Sequence, residues 1–131
     1  MAHVPTRRIV DDVAYFDRET VARRFEQGGL LLDTPRYKLD AGRRTAPGEV
    51  EYHAGVVDVM HVVEGGATVV TGGEMVAPRE IAPGELRADA VEGGTEHTLG
   101  EGDVLAIPTG VPHQFTEVSD PFLYFVVKVA A

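Results

Sequence analysis

Residues 102–115 read "GDVLAIPTGVPHQF". Gly102 before Asp103 suits a tight turn, and "DVLAIP" (103–108) is a short apolar strand. Pro108-Thr109-Gly110 then turns the chain, so that His113 begins a new strand, "HQFTEV", with its ring aimed inward. Alternation puts Phe115 and Glu117 on the face of His113 and Gln114 on the opposite one. Phe115 is therefore read as pocket wall. Glu117 is read either as a neighbour of the site or as a solvated strand end.

A second stretch, "EYHAGVVD" (51–58), lies about fifty residues upstream. Along a strand Glu51 and His53 point the same way and Tyr52 the other. A turn at Gly55 interrupts the strand, so parity does not carry through it. Asp58 opens the next strand and shares a face with Met60 and Val62. If Asp58 faces in, His61 faces out. Two segments far apart in sequence thus each bring imidazole or carboxylate groups to an inward face.

The 131 residues fit one domain, read as 1–131, with an extension over about 1–36 and a core over about 37–128. Hydrophobic residues make up 44% and charged residues 25%, a composition that folds rather than one that stays disordered. The net charge of −9 repels phosphate backbones and anionic bilayers, so neither nucleic acid nor membrane is expected as a partner. No cysteine is present, which excludes disulfides, thiolate metal sites and cysteine nucleophiles. The opening residues lack the apolar core of a secretory signal, and no run approaches the roughly 20 apolar residues of a membrane span. A cytoplasmic location is the expectation.

Fifteen glycines and eight prolines cut the chain into short pieces, as in an all-β domain. One helix is expected at about 18–27, capped by Asp17, with Val21, Ala22 and Phe25 at helical spacing and Gly28-Gly29 as its stop. Strands follow in "GLLLD", "PRYKLDA" and "GEVEYHA". "DVMHVVEGGATVVTGG" (58–73) reads as a hairpin around Glu-Gly-Gly. Residues 72–87 read as a loop or lid. The last strand, "FLYFVVKV" (122–129), is apolar on both faces until Lys128. It must be covered twice, by a second sheet and the helix or by a partner subunit, and a homodimer is expected. Met60, Val62, Leu105, Ile107 and one of Tyr124 or Phe125 are expected in the core or the pocket wall, with Tyr37 at the pocket. His61 is read as a surface or interface residue, His97 as a strand residue and His3 as part of a mobile terminus. Arg36, Lys38, Arg43 and Arg44 form a basic run in an acidic chain. The run is either a solvated loop or an attractor of anionic substrates such as carboxylates.

In these two stretches the chain resembles the cupins. The second cupin motif is glycine, five residues, Pro-x-Gly, two residues, histidine, three residues, asparagine. Gly102, Pro108, Gly110 and His113 match it in register, with Glu117 in place of asparagine. The first motif carries a His-x-His pair, four residues, a glutamate, six residues and a glycine. Here the pair is Glu51 and His53, the acid is Asp58 and the glycine is Gly65. Spacing is kept while two residue types have changed. The resemblance covers about residues 37–128.

It implies a jelly-roll β-barrel with one metal inside, and carries over Glu51, His53, Asp58 and His113 as ligands. Imidazole with carboxylate suits a divalent transition metal, Fe(II) first, with Zn, Mn or Ni also accommodated. Because aspartate is a methylene shorter than glutamate, three arrangements stay open. Glu51, His53 and His113 hold the ion without Asp58; or both acids bind; or one acid, Asp58 or Glu51, acts as a catalytic base. A metal-free polar cluster is the rival, but two ionised acids in a barrel without a cation are costly. The implied function is a metal-dependent enzyme acting on a small-molecule substrate, an oxygenase or a non-redox isomerase, cyclase or lyase. The alternatives are a non-catalytic ligand-binding barrel and a metal-free structural one.

Overall fold

Short strands joined by glycine turns make up most of the chain. The structure is a computed structural model that describes residues 5–7 and 12–131. Helix α1 (Arg18–Gln27) occupies the expected span. Asp17 caps it by accepting a hydrogen bond from the Thr20 N–H at 2.8 Å, and Gly28 ends it at φ 80°. The next strands are β1 (Gly29–Asp33), β2 (Tyr37–Arg44), β3 (Val50–His53), β4 (Val56–Glu64) and β5 (Ala67–Thr71). Then come β6 (Glu74–Met75), β7 (Arg79–Ala82), β8 (Glu85–Ala88) and β9 (Val91–Glu92). The chain closes with β10 (Thr95–Leu99), β11 (Val104–Ile107), β12 (His113–Val118) and β13 (Phe122–Ala130).

A five-stranded sheet runs β1-β2-β13-β4-β11 and a six-stranded sheet runs β10-β5-β12-β3-β8-β7. All their pairings are antiparallel. The inner faces meet in one apolar cluster, with Met60, Val62, Phe122, Tyr124 and Val126 from one sheet and Val69 and Phe115 from the other. This is the expected all-β jelly roll, with one short helix among the described residues. Gly42 is required by close approach: a Cβ there would meet the Tyr124 ring at 2.7 Å.

Three local expectations change. β4 and β5 do not pair as a hairpin. Each belongs to a different sheet, and the turn at Gly65 carries the chain across the barrel, with Gly65 at φ 80° and the Gly66 N–H held by Ser119 Oγ. Residues 72–87 are mostly strand rather than lid. β7 and β8 form a hairpin around Pro83-Gly84 at the edge of the larger sheet, with Gly84 at φ 75°. Ala22 is exposed, and only Val21 and Phe25 of the apolar positions read in the helix face the sheet.

β13 alternates as a strand covered twice. Phe122, Tyr124 and Val126 point into the barrel, while Leu123 and Phe125 pack beneath α1, with Phe25 edge-on to Phe125 at 5.0 Å. At this end the helix supplies the second cover that otherwise argued for a partner subunit. Among the described residues no helix is long and apolar enough to cross a membrane.

Candidate metal centre

Strand register assembles the site as rows across the two facing sheets. In the larger sheet Arg87, Glu51 and His113 are cross-strand neighbours in one row, with Glu85 opposite His53 in the next. In the smaller sheet Lys38, Lys128 and Asp58 form a row over β2, β13 and β4. The rows face each other, and His53, Asp58 and His113 meet between them. Their donor atoms all lie within 4.8 Å of one another, and all three residues are buried. Asp58 is 1% exposed and His113 2%.

The hydrogen bonds around the two rings fix what their inner nitrogens can do. His113 Nδ1 lies 3.1 Å from the Val111 carbonyl, which can only accept, so Nδ1 carries the proton. His53 Nδ1 lies 2.6 Å from Glu85 Oε1 and donates to that carboxylate. In the neutral rings both Nε2 atoms then carry bare lone pairs. They face the same oxygen, Asp58 Oδ2, at 3.4 Å from His53 and 3.5 Å from His113. Two lone pairs and an anionic oxygen turned towards one point repel unless a proton or a metal cation lies between them. His53 Nε2 and Asp58 Oδ1 are buried without a hydrogen-bond partner. Orphaned acceptors of this kind fit a divalent metal, whose ligands must be neutral imidazole and ionised carboxylate.

The same electrostatics shape the titration of the cluster. The facing Asp58 carboxylate raises the His53 imidazole above its ordinary pKa against the effect of burial, and Glu85 adds to the rise. Burial acts against a charged Asp58, but His53 and the Lys128 ammonium outweigh it and hold the carboxyl below its usual range. Burial pushes the His113 imidazole below its ordinary pKa. Lys128 Nζ lies 3.7 Å from Asp58 Oδ1, the oxygen turned away from the imidazoles.

Glu51 is placed differently from the other three. Arg44 Nη2 donates to its Oε2 at 3.1 Å, and Arg87 Nη2 lies 3.4 Å from its Oε1. Arg44 in turn donates to the Tyr124 hydroxyl at 3.1 Å and lies over the Phe115 ring at 4.4 Å. Each Glu51 oxygen is thus engaged by a guanidinium, and Glu51 stands outside the three-residue donor group.

A cavity of about 400 Å³ opens beside His53, walled by Leu30, Lys38, Glu51, Val56, Glu85, Arg87 and Lys128. The four residues read as pocket wall all lie elsewhere. Met60, Val62 and Phe115 are fully packed in the apolar core beneath the site. The fourth, Tyr37, is 45% exposed, because alternation turns it to the outer face of β2 with Leu39 and Ala41 while Lys38 points in. The same alternation splits the basic run: Arg44 points in, and Arg43 reaches the Phe25 carbonyl beside the helix. A register shift after Phe115 turns Glu117 out to solvent. Gln114 donates to the Gly48 and Asp89 carbonyls. His61 is exposed and His97 pairs with Thr71 Oγ1 at 2.9 Å, so neither belongs to the site. His3 lies outside the described residues.

Glu85, Arg87 and Lys128 are the site residues that sequence reading missed. Period-two alternation in "GELRA" already places Glu85 and Arg87 on one face, and counting on from Tyr124 places Lys128 inward. The register that sets Glu85 opposite His53 is not written in either strand.

No protein-family profile and no characterised protein sequence matches this chain. Solved structures do. One from Bacillus halodurans superposes with a TM-score of 0.64 at 12% identity, covering 92% of this chain and 84% of its own. A hydroquinone 1,2-dioxygenase from Sphingomonas sp. TTNP3, with 4-hydroxybenzoate bound, gives 0.64 at 12% identity over 95% of this chain and 84% of its own. KdgF from Halomonas sp. gives 0.57 at 17% identity over 79% of each chain. At these identities the likeness speaks for the backbone alone, and it agrees with the two packed sheets. The chain is a small protein of the cupin fold.

Proposed function

We propose that this protein is a metal-dependent enzyme acting on a small organic molecule, with a divalent transition ion held by His53, Asp58 and His113. The observation that carries this reading is the convergence of two bare Nε2 atoms on Asp58 Oδ2 in a buried setting. Two histidines and one carboxylate leave coordination positions open, the donor set typical of non-haem Fe(II) oxygenases, so Fe(II) is the favoured ion and oxygenation the favoured reaction. When bound, such an ion supplies Lewis-acid or redox chemistry to a substrate that reaches an open position.

The chain's own residues set the stage. Glu85 and the Val111 carbonyl fix the tautomers of the two rings. Lys128 steadies the far oxygen of Asp58. Asp58 is assigned to the ligand set rather than to proton transfer, because it lies beneath the cavity wall. Glu51, of the two candidate bases the one that lines the cavity, is assigned to the arginine clamp. The wall's apolar patches, Leu30 and Val56, suit the body of an organic substrate.

Elemental analysis of protein purified without a metal-affinity tag tests the proposal. Near-stoichiometric iron is expected. Zinc, manganese or nickel in its place would redirect the reaction to the non-redox class. No metal after reconstitution would sink the metalloenzyme reading and leave a ligand-binding barrel.

Glu85 gives a further expected result. Glu85→Ala removes the acceptor that orients His53, and metal affinity, measured by chelator competition, should fall about 10–100-fold. Glu85→Gln, which keeps an acceptor oxygen, should recover part of the loss.

A further inference from the structure

Lys38 and Lys128 are direct cross-strand partners on the inner face of the smaller sheet, and both line the cavity beside His53. Like charges directly opposite on one face destabilise a sheet. The surrounding carboxylates relieve this only in part. Asp33 lies 3.7 Å from Lys38, and Asp58 lies 3.7 Å from Lys128, both beyond hydrogen-bond range. Asp40 also lies near Lys128, but burial pushes its carboxyl up towards the neutral form. Glu51 is taken by Arg44 and Arg87, and Glu85 by His53 and Arg87. Three cationic side chains and two carboxylates line the cavity, and a divalent ion at Asp58 would add further positive charge. This stands against a net charge of −9 for the whole chain. The cations are therefore concentrated at one place in a protein whose overall field repels anions.

We infer that the Lys38–Lys128 pair is the anion-binding element of this cavity, and that the substrate is a small organic carboxylate. Its carboxylate lies between the two ammonium groups and its apolar body lies against Leu30 and Val56. Each lysine donates to the anion, and the cross-strand repulsion is relieved in the bound state. This rests on the reading of the same cavity as the substrate site, and it extends that reading to substrate class.

The test is calorimetric titration of the full-length protein at low salt, as purified and again after dialysis against EDTA. The probes are benzoate, its neutral counterpart benzamide, and inorganic phosphate. Benzoate should bind at least about tenfold more tightly than benzamide in both forms. The ratio should collapse towards one in Lys38→Met and in Lys128→Met. Arg43→Met, on the outer face, should keep it. Removing one of two facing charges should leave the melting temperature of Lys38→Met at or above wild type, so loss of discrimination there cannot be ascribed to misfolding. Equal binding of benzoate and benzamide, benzoate binding weaker than about 10 mM, or a ratio unchanged by Lys38→Met would overturn the inference. Phosphate binding more tightly than benzoate, with the same lysine dependence, would overturn the carboxylate class. The EDTA arm reads no metal. A failure of this inference therefore leaves the metal centre standing, and a metal-free protein leaves the lysine-dependent ratio to be read on its own.

Discussion

Replacing His113 by alanine is expected to abolish metal retention, while Glu51→Gln leaves it near the wild-type level. The contrast separates a three-residue donor set from the four-residue set implied by the motif spacing. His113 places Nε2 against Asp58 Oδ2 with its other nitrogen held by Val111, so no other side chain can take its place without rebuilding the turn before β12. Losing a partner outside the donor set costs about 10–100-fold in affinity; losing one of only three donors should exceed that range. Glu51 behaves differently because both its oxygens are engaged by guanidinium groups. Its amide isostere weakens the clamp without removing a donor. The measurement is metal content of both variants after gel filtration, with circular dichroism to confirm folding. Metal lost from both variants would restore Glu51 to the ligand set.

Phe115→Ala should be the most destabilising single substitution in the barrel. The ring is 2% exposed and packs against Phe122 at 5.7 Å and Tyr124 at 5.3 Å between centroids, with the Arg44 guanidinium over its face. Truncating a buried phenylalanine costs about 3–5 kcal/mol, because the transfer energy is lost and a cavity remains. For a chain of this size that corresponds to a fall of about 10–20 °C in melting temperature. Thermal unfolding of the EDTA-treated protein checks it, so that metal linkage does not enter. Phe115 also carries Arg44, and through it Glu51, so the variant should loosen the cavity wall as well as the core. A fall of only one or two degrees would mean that the two sheets do not pack as described.

Much of the candidate site was legible because it depends on short-range rules. Pro108, Gly110 and the spacing to His113 dictate a turn and a new strand, and His113 is buried at its first residue. Parity from Asp58 correctly set Met60 and Val62 inward and His61 outward. Parity across turns was not legible. Tyr37 was placed at the pocket, but it stands on the outer face of its strand. The paired strands expected around Gly65 lie in opposite sheets, because a glycine at positive φ serves a crossover as well as a hairpin.

By itself the sequence determined the all-β class and the helix with its caps, which follow from local conformational preference and period-two alternation, rules that act within a few residues. His53, Asp58 and His113 were named as candidate ligands by the resemblance to the cupin motifs. Only the tertiary structure decided how the carboxylates are shared. Glu51 and Asp58 look equivalent in the sequence, as acids on inward faces. Cross-strand register sets Glu51 beside Arg87 and brings Arg44 to it, and it sets Asp58 beside Lys128 and opposite two imidazoles. An ion pair already made removes one acid from the proposed donor set, and the other completes that set by facing two imidazole Nε2 atoms. Those partners come from strands up to 80 residues apart, as between Arg44 and Tyr124, and no local rule specifies which will be neighbours.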